Sequence, residues 1–192
     1  YLAESIRNAP GKRIIAIVGA GHTPGIKEHF FDETIDVEEL KTLPPKGKAG
    51  TIVKWGIPIA IVIIVIVGFF FGGSKVGSDM IVWWIVVNCA GAFLGSLAAL
   101  SHPLTILVAT VVGPFTSLNP TIAAGWVAGL VEANLRKPKV ADLENLYNDI
   151  MSFKGFWRNK VTRLLLVVVL TNLGSAIGTI VALPVLIKYL VA

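Results

Sequence analysis

The sequence predicts a mainly α-helical fold: a polytopic helical membrane domain preceded by the end of a soluble α/β domain. The chain is 54% hydrophobic and only 15% charged, with a mean hydropathy of +0.74, whereas soluble domains are usually ~25% charged. Residues 80–131 contain no Asp, Glu, Lys or Arg. As one helix they would extend about 78 Å, more than twice the ~30 Å thickness of a bilayer's hydrocarbon core. This stretch must therefore cross or re-enter a membrane at least twice.

Residues 1–40 have a soluble character and are predicted to be the C-terminal end of an α/β domain. Residues 1–9 predict the end of a helix, and the β-branched run at 13–18 predicts a buried strand. Thr23 is predicted to cap a second helix that reaches about residue 31, with Pro24 in its first turn. One strand and two helices cannot bury a core, so we expect the rest of the sheet to precede Tyr1 or to come from another chain.

A basic linker at 41–54 leads into the predicted transmembrane domain at 55–192. The interruption of 103–135 by Gly113-Pro114 and Asn119-Pro120 predicts a pair of short segments, either a full or a re-entrant hairpin. This gives about five hydrophobic segments in all. They lie at 55–71, 80–100, 103–135 (counted as two) and 164–190.

Residues 139–152 predict one amphipathic helix lying in the membrane interface, because its apolar residues fall on one face and aromatic residues follow it. The alternative is an ordinary amphipathic helix packed on the soluble part. Cys89 lies in an apolar run, so no disulfide is expected.

The basic residues predict the orientation, because cytoplasmic loops are enriched in Lys and Arg. They concentrate at 41–54 and 136–163, while the other connections carry only Lys75 and Lys188. Placing both rich segments on one side needs an even number of crossings between them, which the hairpin provides. We expect a multi-pass protein of the cell membrane, with a cytoplasmic N-terminal part and an outside C-terminus. Its partner is then the lipid bilayer, with no nucleic acid.

Four pairs of glycines spaced by four residues lie in the apolar segments, where they allow helix backbones to approach closely. They predict close packing between helices, and a homo-oligomer is one interpretation of them. Asn172 on the last segment is interpreted as an interhelical hydrogen-bonding residue or as a substrate contact. The pairs are Gly68/Gly72, Gly91/Gly95, Gly125/Gly129 and Gly174/Gly178.

The stretch 113–126 breaks a helix at membrane depth with two prolines and several polar side chains. Freed backbone groups there must be buried in protein or line a wet cavity, and broken helices of this kind form transporter sites. A tight turn at the outer interface is the alternative. The candidate intramembrane polar site consists of Thr116, Ser117, Asn119, Thr121 and Asn172.

Gly19, Gly21 and His22 follow the predicted strand and precede a helix start. Such a loop suits anion binding at the helix N-terminus, and an imidazole at the end of a strand suits a metal ion or a general base. A purely structural histidine is the third interpretation. His22 is the candidate metal ligand, and no catalytic residue is assigned.

RIIAIVGAGHTPGI at 13–26 resembles the second GxxH motif of the TraB/PrgY, or pheromone shutdown, family. Five further strings resemble the C-terminal membrane region of archaeal members, so the resemblance covers nearly the whole chain. They are HPLT at 102–105, PFTSLNPTIAAGWVAGLVEA at 114–133, LRKPKV at 135–140, GFWRNKVTR at 155–163 and TNLGSAIGT at 171–179.

The resemblance implies a membrane-anchored, metal-dependent hydrolase, a peptidase acting on peptides, whose site is formed by two GxxH motifs, a Glu and an Arg and uses Mn, Co or Zn. Only one motif maps here, onto Gly19 and His22, so we expect this chain alone to be inactive. The alternatives are a small-solute transporter or channel that uses the broken hairpin at 113–121, and a non-catalytic oligomerising membrane anchor.

Overall fold

The computed structural model describes residues 1–31, 41–42 and 48–191, which form helices and connections without any strand. The chain divides into two compact units, Tyr1–Gly47 and Lys48–Ala192. Residues 32–40, which are rich in Asp and Glu, and residues 43–47 of the linker lie outside the described residues. The α-helices are α1 (Leu2–Arg7), α2 (Thr23–His29), α3 (Lys48–Ala98), α4 (Pro103–Ser117), α5 (Ala124–Leu135), α6 (Val140–Glu144), α7 (Leu146–Ile150), α8 (Phe153–Arg158) and α9 (Lys160–Val191).

The first unit contains helices at both predicted places, and Arg7 links them. Its guanidinium pairs with Glu4 within α1 and donates to the carbonyl of Phe30 just after α2 at 3.4 Å. The predicted cap is displaced by one residue, since His22 is the N-cap of α2 and Thr23 is its first residue.

The predicted strand at 13–18 does not form in the described residues, and neither does an α/β domain. The segment has no regular secondary structure, and the side chains of Ile15 and Ile17 are 91% and 97% exposed. A β-branched run becomes a buried strand only when a neighbouring strand satisfies its backbone groups. The described part of this unit supplies no such neighbour.

The second unit begins with a helical hairpin. α3 is 51 residues long and breaks at Gly73, whose φ of +79° and ψ of 179° are favourable only for glycine. Beyond the break the chain folds back, so that Gly68 contacts Met80 and Phe69 contacts Gly77. The two antiparallel arms, 48–72 and 74–98, contain the first two predicted spans.

A second, shorter hairpin follows, and its turn contains the predicted break at Asn119-Pro120. The predicted break at Gly113-Pro114 is wrong, because α4 continues through Pro114 to Ser117. At ~1.5 Å per residue, α4 and α5 are about 22 and 18 Å long, against about 48 Å for α9. The start of α4 and the end of α5 lie together, because Glu132 accepts a hydrogen bond from Thr105. The tip reaches only to the middle of the neighbouring helices, where Ser117 meets Asn88 and Ser175.

The predicted glycine faces are used within this chain. A Cβ on Gly91 would strike the carbonyl of Gly174, and a Cβ on Gly174 would strike that of Gly91. The Gly91/Gly95 and Gly174/Gly178 pairs therefore interlock the second arm of α3 with α9. Gly125 packs against the backbone of Val168 in the same way. Because these glycines pack against helices of the same chain, they give no support for a homo-oligomer, which stays a prediction.

The predicted single helix at 139–152 is two short helices, α6 and α7. The Asn145 side chain donates to the carbonyl of Ala141 at 2.9 Å and ends α6, since such local bonds compete with helix continuation. The apolar face is exposed, with Val140, Tyr147 and Met151 between 69% and 71% accessible. That exposure leaves the face available to a membrane interface.

Two helical stretches, Gly50–Ala98 and Lys160–Leu190, are long and apolar enough to cross a membrane. In the most apolar 18 residues of each stretch, only 11% and 22%, respectively, are buried within the protein. The core helix of a soluble protein is mostly buried. Large apolar side chains such as Phe70, Phe71 and Leu165 consequently face outward.

Candidate functional site

A buried polar cluster joins three helices at the tip of the α4–α5 hairpin. The hydroxyl of Ser117 lies 2.7 Å from Asn88 Oδ1 and 2.9 Å from Ser175 Oγ. The Thr179 hydroxyl donates to the same Asn88 oxygen at 3.2 Å. Asn88 is fully buried and donates its amide to the carbonyl of Trp84 at 3.0 Å. These hydrogen bonds therefore fix how far the hairpin extends along the neighbouring helices.

A groove of about 570 Å³ lies beside this cluster, between the hairpin tip, α9 and the first arm of α3. It brings together four of the five residues of the predicted polar site, while Thr121 contacts the groove residue Asn119. A turn at the outer membrane interface, the alternative interpretation of this stretch, stays a prediction. The groove is lined by Ile57, Thr116, Ser117, Asn119, Pro120, Ile122, Ala123, Ala124, Asn172, Ser175, Ala176, Thr179 and Ile180.

The two asparagines of the groove are oriented by backbone donors. Thr121 donates its backbone N–H at 2.9 Å and its hydroxyl at 2.5 Å to Asn119 Oδ1. Gly125 in the first turn of α5 donates its N–H to Asn172 Oδ1 at 2.7 Å. Backbone N–H groups are donors only, so each amide oxygen must face them. Asn172 thus makes the interhelical hydrogen bond that its position predicts.

The base of the hairpin is held by Glu132, which the sequence reasoning did not single out. Its carboxylate is 2% exposed and accepts from the His102 N–H at 2.8 Å, the Thr105 hydroxyl at 2.7 Å and Arg136 at 3.1 Å. Arg136 also donates to the carbonyl of Leu100 at 3.0 Å. The signal in the sequence is the lone carboxylate of α5, placed four residues before an arginine.

A second polar junction anchors the short helices to α9. Asn159 is 2% exposed and donates to the Asp142 carbonyl at 2.6 Å and to the Asp149 carboxylate at 2.9 Å. Trp157 donates its indole N–H to the carbonyl of Ala98 at 2.9 Å. These contacts bring the basic stretch after residue 135 to the end of the bundle where α3 finishes.

His22 ends a single 3₁₀ turn (Ala20–His22) in the first unit and is exposed. Its backbone N–H donates to the carbonyl of Gly19 at 2.9 Å, and nothing lies within 4 Å of a Cβ built on Gly21. In the part of the chain that the structure describes, no three His, Cys, Asp or Glu side chains come together as a metal site would require. The described donors therefore do not fit a complete metal centre, and we derive no hydrolytic step from them.

Comparison with known proteins gives a family and one relative. Residues 49–191 match the family described as TraB family protein, C-terminal domain. The chain is 30% identical over 186 residues to the uncharacterized protein MJ1365 of Methanocaldococcus jannaschii, with 92% of this chain and 47% of that protein covered. The chain thus spans about half the length of this relative. No solved structure matches it significantly.

Proposed function

Because the chain belongs to the TraB family, we propose that residues 48–191 are the multi-pass membrane domain that anchors a TraB family protein. The two arms of α3 and the long α9 cross the bilayer, and α4 and α5 enter and leave it on one side. The large outward-facing apolar side chains of these helices then meet lipid rather than water.

One observation carries this proposal: the α4–α5 hairpin returns to the end of the bundle at which it starts. His102 at its beginning bonds to Glu132 near its end at 2.8 Å. Arg136 and Lys137, which follow the hairpin, consequently share the side on which the second arm of α3 ends. An excess of basic residues marks the cytoplasmic side, so the N-terminal unit lies inside and the C-terminus outside.

Cysteine accessibility in sealed, oriented vesicles tests this topology. Cys89 is replaced by Ala, and single cysteines are placed at Ser74, beside the α3 break, and at Lys154, between the hairpin and α9. We expect a membrane-impermeant maleimide to label these two positions from opposite sides. Ser5→Cys in the first unit is the matched control and should react from the same side as position 154. Labelling of positions 74 and 154 from one side would refute the topology.

The metal-dependent peptidase activity that the family resemblance implies is a proposal for the full-length protein. The support within this chain is the GxxH motif, whose His22 is exposed at the end of its turn and is the one metal ligand that we assign here. We expect peptide hydrolysis by the full-length protein to require Mn²⁺, Co²⁺ or Zn²⁺ and to be lost in His22→Ala. His29→Ala, seven residues along, is the control and should keep the activity. Full activity of His22→Ala would remove His22 from the site.

A further inference from the structure

We propose that the groove at the hairpin tip binds small uncharged solutes through their oxygen atoms and lets them cross the membrane, polyols and ureas being the chemical class. The proposal rests on the membrane assignment above and adds a second role to the anchoring domain. It follows from the polarity of the groove, the orientation of its two asparagines and its depth in the bundle.

The composition of the groove favours an uncharged ligand. Its lining combines hydroxyl and amide side chains with the apolar side chains of Ile57, Ile122 and Ile180, and includes no Asp, Glu, Lys or Arg. An ion would have to leave water here without an opposite charge to compensate its desolvation, which costs several kcal/mol. Its volume of about 570 Å³ lies in the range of small-molecule sites.

The two amide groups make the groove a donor surface. The oxygens of Asn119 and Asn172 are held by the backbone N–H groups of Thr121 and Gly125. Each NH₂ group must then face away from that backbone donor. Neither NH₂ group has a hydrogen-bond partner among the described residues. The hydroxyls of Ser117 and Thr179 are already engaged with the buried cluster. Hydroxyl and carbonyl oxygens of a solute are the complementary acceptors.

The groove lies near the middle of the bundle, as expected for a site on a path across the membrane. Along α9, Asn172 lies roughly 18 Å from the first residue and roughly 28 Å from the last. The donors therefore lie near the middle of the bundle, where transporters with broken helices place their substrate sites. The short hairpin ends there, so it does not fill the remaining half of the bundle beyond its tip.

Solute flux into proteoliposomes tests the proposal, with glycerol and urea as the probes in stopped-flow light scattering. We expect the chain to raise the flux of both above that of protein-free vesicles. Asn119→Asp and Asn172→Asp keep the oxygen that the backbone requires but remove the NH₂ donor. Losing one hydrogen bond changes an equilibrium about fivefold, so each variant should lower the flux by about that factor. Asn148→Asp, an exposed amide outside the groove, should leave it unchanged.

A second pair of variants keeps the test independent of any folding defect in the asparagine variants. Ala176 lines the groove and is exposed, so Ala176→Phe should block the flux while Ala176→Ser preserves it. Wild-type flux no greater than that of empty vesicles, or a flux unaffected by both aspartate variants and Ala176→Phe, would overturn the proposal. Passage of chloride without glycerol or urea would overturn it too. Labelling at positions 74 and 154 in the same vesicles shows separately whether the topology holds.

Discussion

Removal of the Glu132 carboxylate should loosen the base of the α4–α5 hairpin. This buried group is the shared acceptor for the His102 N–H, the Thr105 hydroxyl and the Arg136 guanidinium. Glu132→Ala removes all three hydrogen bonds at once. The Thr105 hydroxyl that remains is then left without an acceptor and away from water, because Thr105 is fully buried.

The expected loss can be worked from these contacts. Side-chain hydrogen bonds in membrane proteins average ~0.6 kcal/mol, and those in soluble proteins ~1 kcal/mol. Three of them give about 2 to 3 kcal/mol. The ion pair adds little to this, because the Arg136 side chain is 29% exposed and water can solvate it once it is released. Glu132→Gln keeps an oxygen for His102 and Thr105, so it should cost only about 1 kcal/mol.

Reversible unfolding in mixed detergent micelles, followed by far-UV circular dichroism, measures these differences. The exposed carboxylate Glu144 provides the control, and Glu144→Ala should change the free energy of unfolding by less than about 0.5 kcal/mol. If Glu132→Ala were as stable as Glu144→Ala, the hairpin base would be held by something other than this carboxylate. A loss in Glu132→Gln equal to that in Glu132→Ala would show that charge, rather than hydrogen bonding, is responsible.

Three further substitutions test the packing, each by the same unfolding measurement. Gly174→Leu should disrupt the interlocked glycines and lower the free energy of unfolding by about 3 kcal/mol. Gly56→Leu is the control and should be tolerated, because a Cβ at Gly56 meets nothing within 4 Å. Equal losses in the two variants would argue against the close contact of α3 with α9. Gly73→Ala places a side chain where φ is +79° and should cost about 1 to 3 kcal/mol, and an unchanged stability would contradict the sharp break. Trp157→Phe loses the N–H that satisfies the Ala98 carbonyl and should cost about 1 kcal/mol; no loss would mean that water replaces this bond.

The helical bundle could be predicted from the sequence because its determinants are local. An apolar run without charges specifies a helix of a given length, and Asn119-Pro120 specifies a break, whereas Pro114 is accommodated within α4. The depth of the hairpin could not be predicted in this way. It depends on contacts of Ser117 with Asn88 and Ser175. These three residues are far apart in the chain, and nothing in the local sequence around each one indicates that they meet.

The failures have the same origin. The run at 13–18 has the composition of a strand, but composition does not supply the second strand that a ladder needs. Asn145 interrupts the predicted interfacial helix through a side-chain bond that helical periodicity does not reveal. Glu132 directly follows the uncharged stretch at 80–131, and its role at the hairpin base depends on a burial that the sequence does not reveal.

The candidate polar site was predicted as a set of residue types, and four of its five members do line one groove. What the sequence could not provide is the orientation of the two amides. That orientation follows from the backbone N–H groups of Thr121 and Gly125, which are positioned only once the chain has turned.

The short hairpin also gives the bundle an unequal cross-section. At the basic end, the bundle contains α4 and α5 together with the α3 arms and α9. Beyond the hairpin tip, only the α3 arms and α9 continue among the described residues. Embedded as proposed, this bundle would occupy more area in the cytoplasmic leaflet than in the opposite one. A bundle with such unequal ends would favour bilayers whose curvature relieves the crowding on the inner face.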